Sequence, residues 1–228
     1  MSGIERPYIA GSQMWFSGKG KFGRDARICG FGCGVVALLD FCVYEQALPA
    51  AESREEYLDR IRQMERRALP IVPGFGIAPY LYPILVNLFF RRNRIPYRMR
   101  GMVGAGNREA LEEMLKNDIP VIFAAGPTVP VLWRKKRLPL YPAKGTMSEK
   151  SIKAHYMTLL GLEGEGEHTW MRVASWGEIY RIRLSDYRRF TRYTIPFTNR
   201  FYRMERVGGA EERSAGEAGA IRRKDQLH

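Results

Sequence analysis

The stretch that decides the fold reads Gly30-Phe31-Gly32-Cys33-Gly34-Val35-Val36-Ala37-Leu38-Leu39. Glycines surround one thiol, and an apolar run with few charges begins directly after it. This run predicts a buried helix from Cys33 to about Ala47. At the N-terminus of a helix, unpaired backbone N–H groups and the helix dipole favour the thiolate over the thiol. The sequence therefore predicts that Cys33 is a nucleophile with open space beside its sulfur.

A histidine opens a second apolar segment, Ala154-His155-Tyr156-Met157-Thr158-Leu159-Leu160-Gly161, which is predicted to be a strand. A cysteine and a histidine that are distant in sequence but meet in space form the minimal pair of a cysteine hydrolase. Two plainer interpretations stay open, because Cys33 could be a small buried residue and His155 a core histidine with satisfied hydrogen bonds.

The composition is that of a globular protein, with 228 residues of which 45% are hydrophobic. The cysteines, Cys29, Cys33 and Cys42, crowd into one short region where a disulfide would close no wide loop. With no secretory signal at the N-terminus, we expect reduced thiols and a cytoplasmic protein. We expect no metal or organic cofactor, because the spacing of Cys29, Cys33, His155 and His168 follows no structural zinc pattern.

The formal net charge of +13 favours polyanions, anionic lipid surfaces or acidic substrates as partners. The basic residues are concentrated in the runs Arg91–Arg94, Tyr97–Arg100, Arg134–Arg137 and Arg188–Arg192. No zinc finger, Walker loop or RNA-binding signature organises them, so solvated basic faces are the preferred interpretation and nucleic acid is not favoured. Prolines and glycines interrupt the uncharged stretch 69–90, which predicts a buried loop and a core helix rather than a membrane span.

The order of predicted elements indicates an α+β domain over residues 1–207, in which helices come first and antiparallel strands follow. Predicted helices span 53–68, 79–92 and 107–117, with a helical turn at 185–190, and predicted strands span 97–102, 120–125, 155–162, 169–175, 179–184 and 199–207. Residues 1–29 and the loop up to Lys144 are expected to be irregular. Residues 208–228 have almost no bulky apolar side chains and are expected to be a disordered tail.

Three short blocks, within roughly residues 28 to 190, resemble papain-like cysteine peptidases, in particular the double-glycine, bacteriocin-processing branch. Cys33–Leu38 is similar to the Cys-Gly-x-x-Ala-Leu start of that branch. His155-Tyr156 resembles its histidine strand, and Arg172–Glu178 resembles the segment in which papain-type enzymes carry Asn-Ser-Trp-Gly. The resemblance implies a papain-like fold, with the nucleophile helix and further helices packed on a C-terminal antiparallel sheet.

The resemblance also implies acyl transfer. Cys33 would attack a carbonyl, His155 would move the proton, and the backbone between Gly32 and Gly34 would help to bind the oxyanion. Ala174 stands where the family orients its histidine with a polar side chain, which leaves the neighbouring Ser175 or the backbone as candidates for that role.

Other positions of the family pattern are also altered. Arg27 occupies the usual place of the oxyanion glutamine, and Gln13 is the only glutamine upstream of the nucleophile. Trp176 is expected to pack over the histidine or to line the substrate site. These departures leave open a catalytically impaired papain-like fold that binds a peptide without cutting it.

The expected function is that of a papain-like cysteine hydrolase cleaving a peptide or amide bond in a peptide or protein substrate. Acidic substrates are included, because the Arg134–Arg137 run precedes the histidine strand and could line the cleft. A basic protein that binds polyanions is the second alternative, which rests on charge alone. The sequence leaves the oligomeric state open.

Overall fold

The computed structural model describes residues 2–16, 23–103, 108–129, 132, 135–143 and 150–207. The tail predicted over 208–228 lies outside these ranges, as do Asn107 and Arg134. Within them the chain is an α+β fold, as expected. The helices are α1 Arg24–Phe31, α2 Cys33–Tyr44, α3 Arg54–Arg67, α4 Tyr82–Arg92, α5 Arg108–Lys116 and α6 Leu184–Thr191. The strands are β1 Ser2–Gly3, β2 Tyr97–Val103, β3 Val121–Ala125, β4 Leu138–Pro142, β5 Lys150–Ile152, β6 His155–Glu163, β7 Trp170–Ser175, β8 Glu178–Arg183 and β9 Arg200–Arg206.

The strands form one large antiparallel sheet in the order β2-β9-β3-β6-β7-β8-β4-β5, with the short β1 also paired to β6. Strand β6 lies inside this sheet, between β3 and β7, and is buried from His155 to Leu162. A strand that is covered on both faces has a continuous apolar sequence, as β6 does. His155 therefore stands at the buried start of a central strand.

Helix α2 is the buried helix that the sequence predicts, and it packs against β6. Asp40 is its single charged residue, and the side chains around it are almost all apolar. Gly34 allows close contact, because a Cβ atom there would lie 3.3 Å from the ring of Tyr82 and 3.4 Å from that of Tyr156. The hydroxyl of Tyr82 donates a 2.6 Å hydrogen bond to the carbonyl of Gly34. The N-terminal end of α2 is thus fixed over the start of β6.

Helices α1 and α2 meet at Gly32 with a bend of 79°. The N–H of Gly32 donates to the carbonyl of Ile28 at 2.7 Å, which ends α1. A Cβ atom on Gly32 would lie only 2.5 Å from that same carbonyl oxygen, so no other residue fits the bend without displacement. Cys33 directly follows the bend and is the first residue of α2.

Two segments expected to be irregular carry regular structure. Residues before Cys33 form helix α1, and the proline-rich basic loop contains β4 and begins the pairing with β5. In both places tertiary contacts outweigh a weak local pattern. The helix predicted at 53–68 is confirmed, since Ser53 accepts the N–H of Glu56 at 3.1 Å and caps α3.

Among the described residues no single helix has the length and apolar character to cross a membrane, although α1 and α2 together pass that test as a bent pair. In the stretch 69–90 a loop leads into α4, as expected, but the expectation that this loop is buried is wrong, because Val72, Phe75 and Tyr80 are exposed.

An N-terminal arm, residues 2–16, crosses the end of α2 and reaches the β7–β8 hairpin. Asp40 accepts the N–H of Gly11 at 2.8 Å, and the carbonyl of Gly11 accepts the N–H of Gly177 at 2.9 Å. Further along the arm, Arg6 pairs with Asp118 at 2.6 Å. The arm is therefore tied to both the helical and the sheet layer.

Candidate functional site

The sulfur of Cys33 lies beside the start of β6. Its Sγ atom accepts the backbone N–H of Tyr156 at 3.4 Å, although 123 positions separate the two residues in sequence. The backbone N–H groups of Gly34 and of Cys33 itself also face this sulfur. Cys33 and His155 also line the same two cavities, so the structure places the predicted cysteine and histidine at one site.

His155 is held on two sides. Its Nε2 atom lies 2.7 Å from the Oγ atom of Ser175, within hydrogen-bond distance. Its ring packs against that of Trp176, with 4.6 Å between the centroids and a tilt of 34°. Its other nitrogen, Nδ1, makes no hydrogen bond to any described residue, so it is available to exchange a proton.

A tight turn between β7 and β8 presents Ser175 and Trp176 to the imidazole. Ser175 pairs with Glu178, which leaves a two-residue loop of Trp176 and Gly177, with φ values of 51° and 79°. Positive φ at both positions is the geometry of a type I′ hairpin turn, which asparagine and glycine normally occupy. A bulky residue is uncommon in this left-handed region. The indole is held there while it covers His155.

Gln13 also belongs to this site. It is buried in a short 3₁₀ turn of the N-terminal arm, and its Nε2 atom donates to the carbonyl of Cys29 at 2.9 Å. A primary amide carries two N–H donors, so one remains for a ligand. Gln13, Cys33, His155, Ser175 and Trp176 line one cavity of about 20 Å³, enough for a single water molecule.

Arg27 does not reach this site, contrary to its predicted oxyanion role. Helix α1 turns its guanidinium toward α3, where it pairs with the buried carboxylate of Glu65 at 2.8 Å. Gly32 and Gly34 contribute through the backbone: Gly32 forms the bend, and Gly34 directs its N–H to the sulfur and its carbonyl to Tyr82.

Burial sets the protonation of the pair. Cys33 keeps some exposed surface, but the dense protein around it raises the pKa of the thiol to about 11, against three backbone N–H groups that lower it. Burial also lowers the pKa of His155 to about 3. Both groups are therefore neutral at physiological pH. Burial therefore opposes the thiolate that the helix N-terminus favours, and desolvation is the largest cause of the raised pKa of Cys33.

A second cavity is also lined by both Cys33 and His155. It has a volume of about 350 Å³ and is lined by Cys33, His155, and apolar or glycine residues from three segments. These segments are 30–31, 74–79 and 124–127; Ala154, Tyr156 and Ile195 complete the lining. No charged side chain of the described residues lines it. Lys135, Lys136 and Arg137, the described part of the basic run, lie elsewhere.

Asp40 is a site residue that the sequence analysis missed. It lines the small cavity with Cys33 and His155, and it accepts hydrogen bonds from Gly11 at 2.8 Å and from the hydroxyl of Tyr57 at 2.7 Å. Burial raises its pKa to about 7, despite both hydrogen bonds. The signal was available in the sequence: an isolated aspartate within an apolar helix, two turns after the cysteine.

Across the described ranges, no three His, Cys, Asp or Glu side chains converge in a way that could hold a metal ion. The second histidine, His168, lies exposed in a turn after β6, and Cys42 is buried in α2. No protein-family model matches this chain, and no curated protein matches it.

Proposed function

We propose that this protein is a papain-like thiol hydrolase that cleaves a peptide or amide bond through Cys33 and His155. One observation carries the proposal: Cys33, His155 and Ser175 line one small cavity, in which Oγ of Ser175 lies 2.7 Å from Nε2 of His155 and the sulfur accepts the N–H of the residue after His155 at 3.4 Å. A nucleophile, a base and a group that orients the base are the parts that acyl transfer requires.

Acylation begins when Sγ of Cys33 attacks the carbonyl carbon and the thiol proton passes to Nδ1 of His155. Since the resting pair is neutral, proton transfer accompanies the attack instead of preceding it. The carbonyl oxygen becomes an oxyanion, for which the N–H of Cys33 and the free amide N–H of Gln13 are the candidate donors. The C–N bond then breaks as His155 returns the proton to the leaving amine, which leaves a thioester on Cys33.

Deacylation uses the same groups. His155 takes a proton from water as the water oxygen attacks the thioester carbonyl, and the C–S bond breaks. The thiolate regains its proton from His155, and the carboxylic acid leaves. The apolar groove of about 350 Å³ fits uncharged and small substrate side chains beside the scissile bond, so it offers no support for the expected preference for acidic substrates.

The test is hydrolysis of fluorogenic peptide amides that carry neutral or acidic residues next to the cleaved bond. We expect the protein to hydrolyse neutral peptides and Cys33→Ala to lose this activity. Mass spectrometry should detect a thioester between the substrate and Cys33. Cys42→Ala is the matched control, because that thiol is buried in the same helix away from the site. Equal turnover by wild type and Cys33→Ala would refute the proposal.

The groove can be tested separately through Gly30. This glycine lines the groove, and a Cβ atom there would contact nothing within 4 Å, so Gly30→Leu should fold normally and obstruct the groove. We expect turnover to fall at least tenfold with no loss of thermal stability. Unchanged turnover would show that substrates approach from elsewhere.

The neutral state of Cys33 and His155 favours a second candidate, a peptide-binding module that no longer cuts. Such a module would bind neutral peptides in the same groove without acylation. Binding by wild type and Cys33→Ala with equal affinity, and with no thioester in the wild type, would favour this candidate over the hydrolase.

A further inference from the structure

A large groove lies away from the cysteine site, between the C-terminal halves of α3 and α4. It has a volume of about 640 Å³, within the range of small-molecule sites. Its floor is apolar and comes from three helices: Leu39 of α2, Met64 of α3 and Phe89 of α4, each at most 6% exposed. Leu48, from the loop after α2, extends this apolar surface.

Three arginines form the polar part of the groove: Arg60, Arg67 and Arg92. Arg60 is already engaged, since it pairs with Glu56 at 2.6 Å and donates to the carbonyl of Pro49. Arg92 donates to the backbone carbonyl of Arg67 at 3.1 Å, which ties the ends of the two helices together. Among the described residues, neither Arg67 nor Arg92 has a carboxylate partner.

No acidic side chain of the described residues lines the groove. Two arginines therefore lie at adjacent helix ends beside an apolar floor, and no carboxylate of the described residues in the groove balances their charge. An anion between them would make charge-assisted hydrogen bonds, which guanidinium forms in a bidentate manner with carboxylate and phosphate. An apolar chain attached to that anion would cover the floor.

We propose that this groove binds a small amphipathic anion, namely an acyl chain that ends in a carboxylate or phosphate group. The chain lies on Leu39, Met64 and Phe89, and the anionic group faces Arg67 and Arg92. The floor argues against an extended polyanion such as nucleic acid, whose backbone would leave the apolar surface uncovered. The proposal is independent of Cys33, which lies at the opposite end of α2.

The probe is decanoate below its micelle-forming concentration, titrated calorimetrically into the full chain. We expect saturable binding of decanoate, with butanoate and 1-decanol each binding at least tenfold more weakly because one lacks the chain and the other the charge. Arg67→Gln with Arg92→Gln should weaken decanoate binding at least tenfold. The matched control is Arg66→Gln with Arg91→Gln, which removes two exposed arginines at the same helix ends that lie outside the groove and pair with no described carboxylate.

A second variant, Gln63→Trp, adds a large ring at an exposed position of the groove wall and leaves every arginine in place. It should lower the affinity at an unchanged melting temperature. An equal loss of decanoate affinity in the two double arginine variants, or tight binding of 1-decanol, would overturn the proposal. Vesicles of phosphatidylcholine and phosphatidylglycerol distinguish the two sources of the ligand. If the protein sediments with the vesicles and only Arg67→Gln with Arg92→Gln abolishes this, the ligand is a membrane lipid. If decanoate binds but the protein does not sediment with vesicles, the ligand is a free amphiphile.

Discussion

The Nε2 atom of His155 lies 2.7 Å from the Oγ atom of Ser175, so a hydroxyl holds the buried imidazole. A hydroxyl both donates and accepts, whereas an amide oxygen only accepts. When Oγ accepts the N–H of Nε2, the lone pair of Nδ1 is left free to take a proton. The residue that follows Ala174 therefore supplies the polar atom that Ala174 lacks.

Ser175→Ala should lower kcat at least tenfold with KM within about twofold, because the imidazole loses its orientation but the groove is untouched. Nitrogen-15 chemical shifts of His155 provide a readout that does not need turnover, and we expect a mixture of tautomers in the variant. Ser185→Ala, in helix α6, is the control. Wild-type kcat and a single tautomer in Ser175→Ala would contradict the role of the hydroxyl.

The raised pKa of Cys33, about 11, predicts slow alkylation at neutral pH. The rate of iodoacetamide modification at Cys33 should increase about tenfold per pH unit from pH 7 to pH 10, since the thiolate is the reactive form. Peptide mass spectrometry separates this site from Cys29 and Cys42. A rate that already levels off below pH 8 would mean that Cys33 and His155 form a charged couple.

Asp40 and His155 should have opposite effects on the pH dependence of stability. The pKa of Asp40 rises from 3.8 to about 7 on folding, so the folded state binds more protons and the free energy of unfolding falls as pH rises through that window. The pKa of His155 falls from 6.5 to about 3, so its contribution is lost as pH falls through that window. Each effect is on the order of 4 kcal/mol, and they largely cancel.

Asp40→Asn should expose the histidine effect. Its amide oxygen can still accept the N–H of Gly11, and its amide N–H can donate to Tyr57. In urea titrations, the free energy of unfolding of Asp40→Asn should rise steeply between pH 3 and 6.5. At pH 8 this variant should be more stable than the wild type. His155→Gln should show the reverse slope. Parallel curves for wild type and Asp40→Asn would contradict the burial of a titrating carboxyl group.

Gly32→Ala should destabilise the fold, because its Cβ atom would lie 2.5 Å from the carbonyl oxygen of Ile28. We expect a loss of about 2 kcal/mol in the free energy of unfolding, the size of an overpacked core. Gly30→Ala is the matched control, since its Cβ atom meets nothing within 4 Å and alanine favours the helix by up to about 1 kcal/mol. Equal stabilities in urea titrations would mean that the bend adapts freely.

The buried elements could be predicted from sequence, because burial leaves a continuous apolar run. Helix α2 and strand β6 are such runs, and the positions of Cys33 and His155 follow from them. Strand β4 has no such signal, since prolines at 139 and 142 resemble a loop and its pairing with β8 depends on residues far along the chain.

In the candidate site too, some residues can be predicted from sequence and others cannot. Ser175 can be predicted because it follows Ala174 at the position where the family orients its histidine. The prediction for Arg27 depends on its spacing from Cys33, which carries no information on where α1 turns its side chains. The directions of the pKa shifts of Cys33, His155 and Asp40 also cannot be predicted from sequence, because they depend on how much protein surrounds each group. Helix position alone favours a thiolate at Cys33, and the depth of burial opposes it.

The N-terminal arm brings Gln13 beside the sulfur and covers Asp40 through Gly11. A truncated chain that starts at α1 would keep the cysteine, the histidine and the serine, yet it would lose the amide beside them and admit solvent to the carboxyl group below. The candidate site is thus assembled from the arm, from α2 and from the sheet, so only a docked arm completes it.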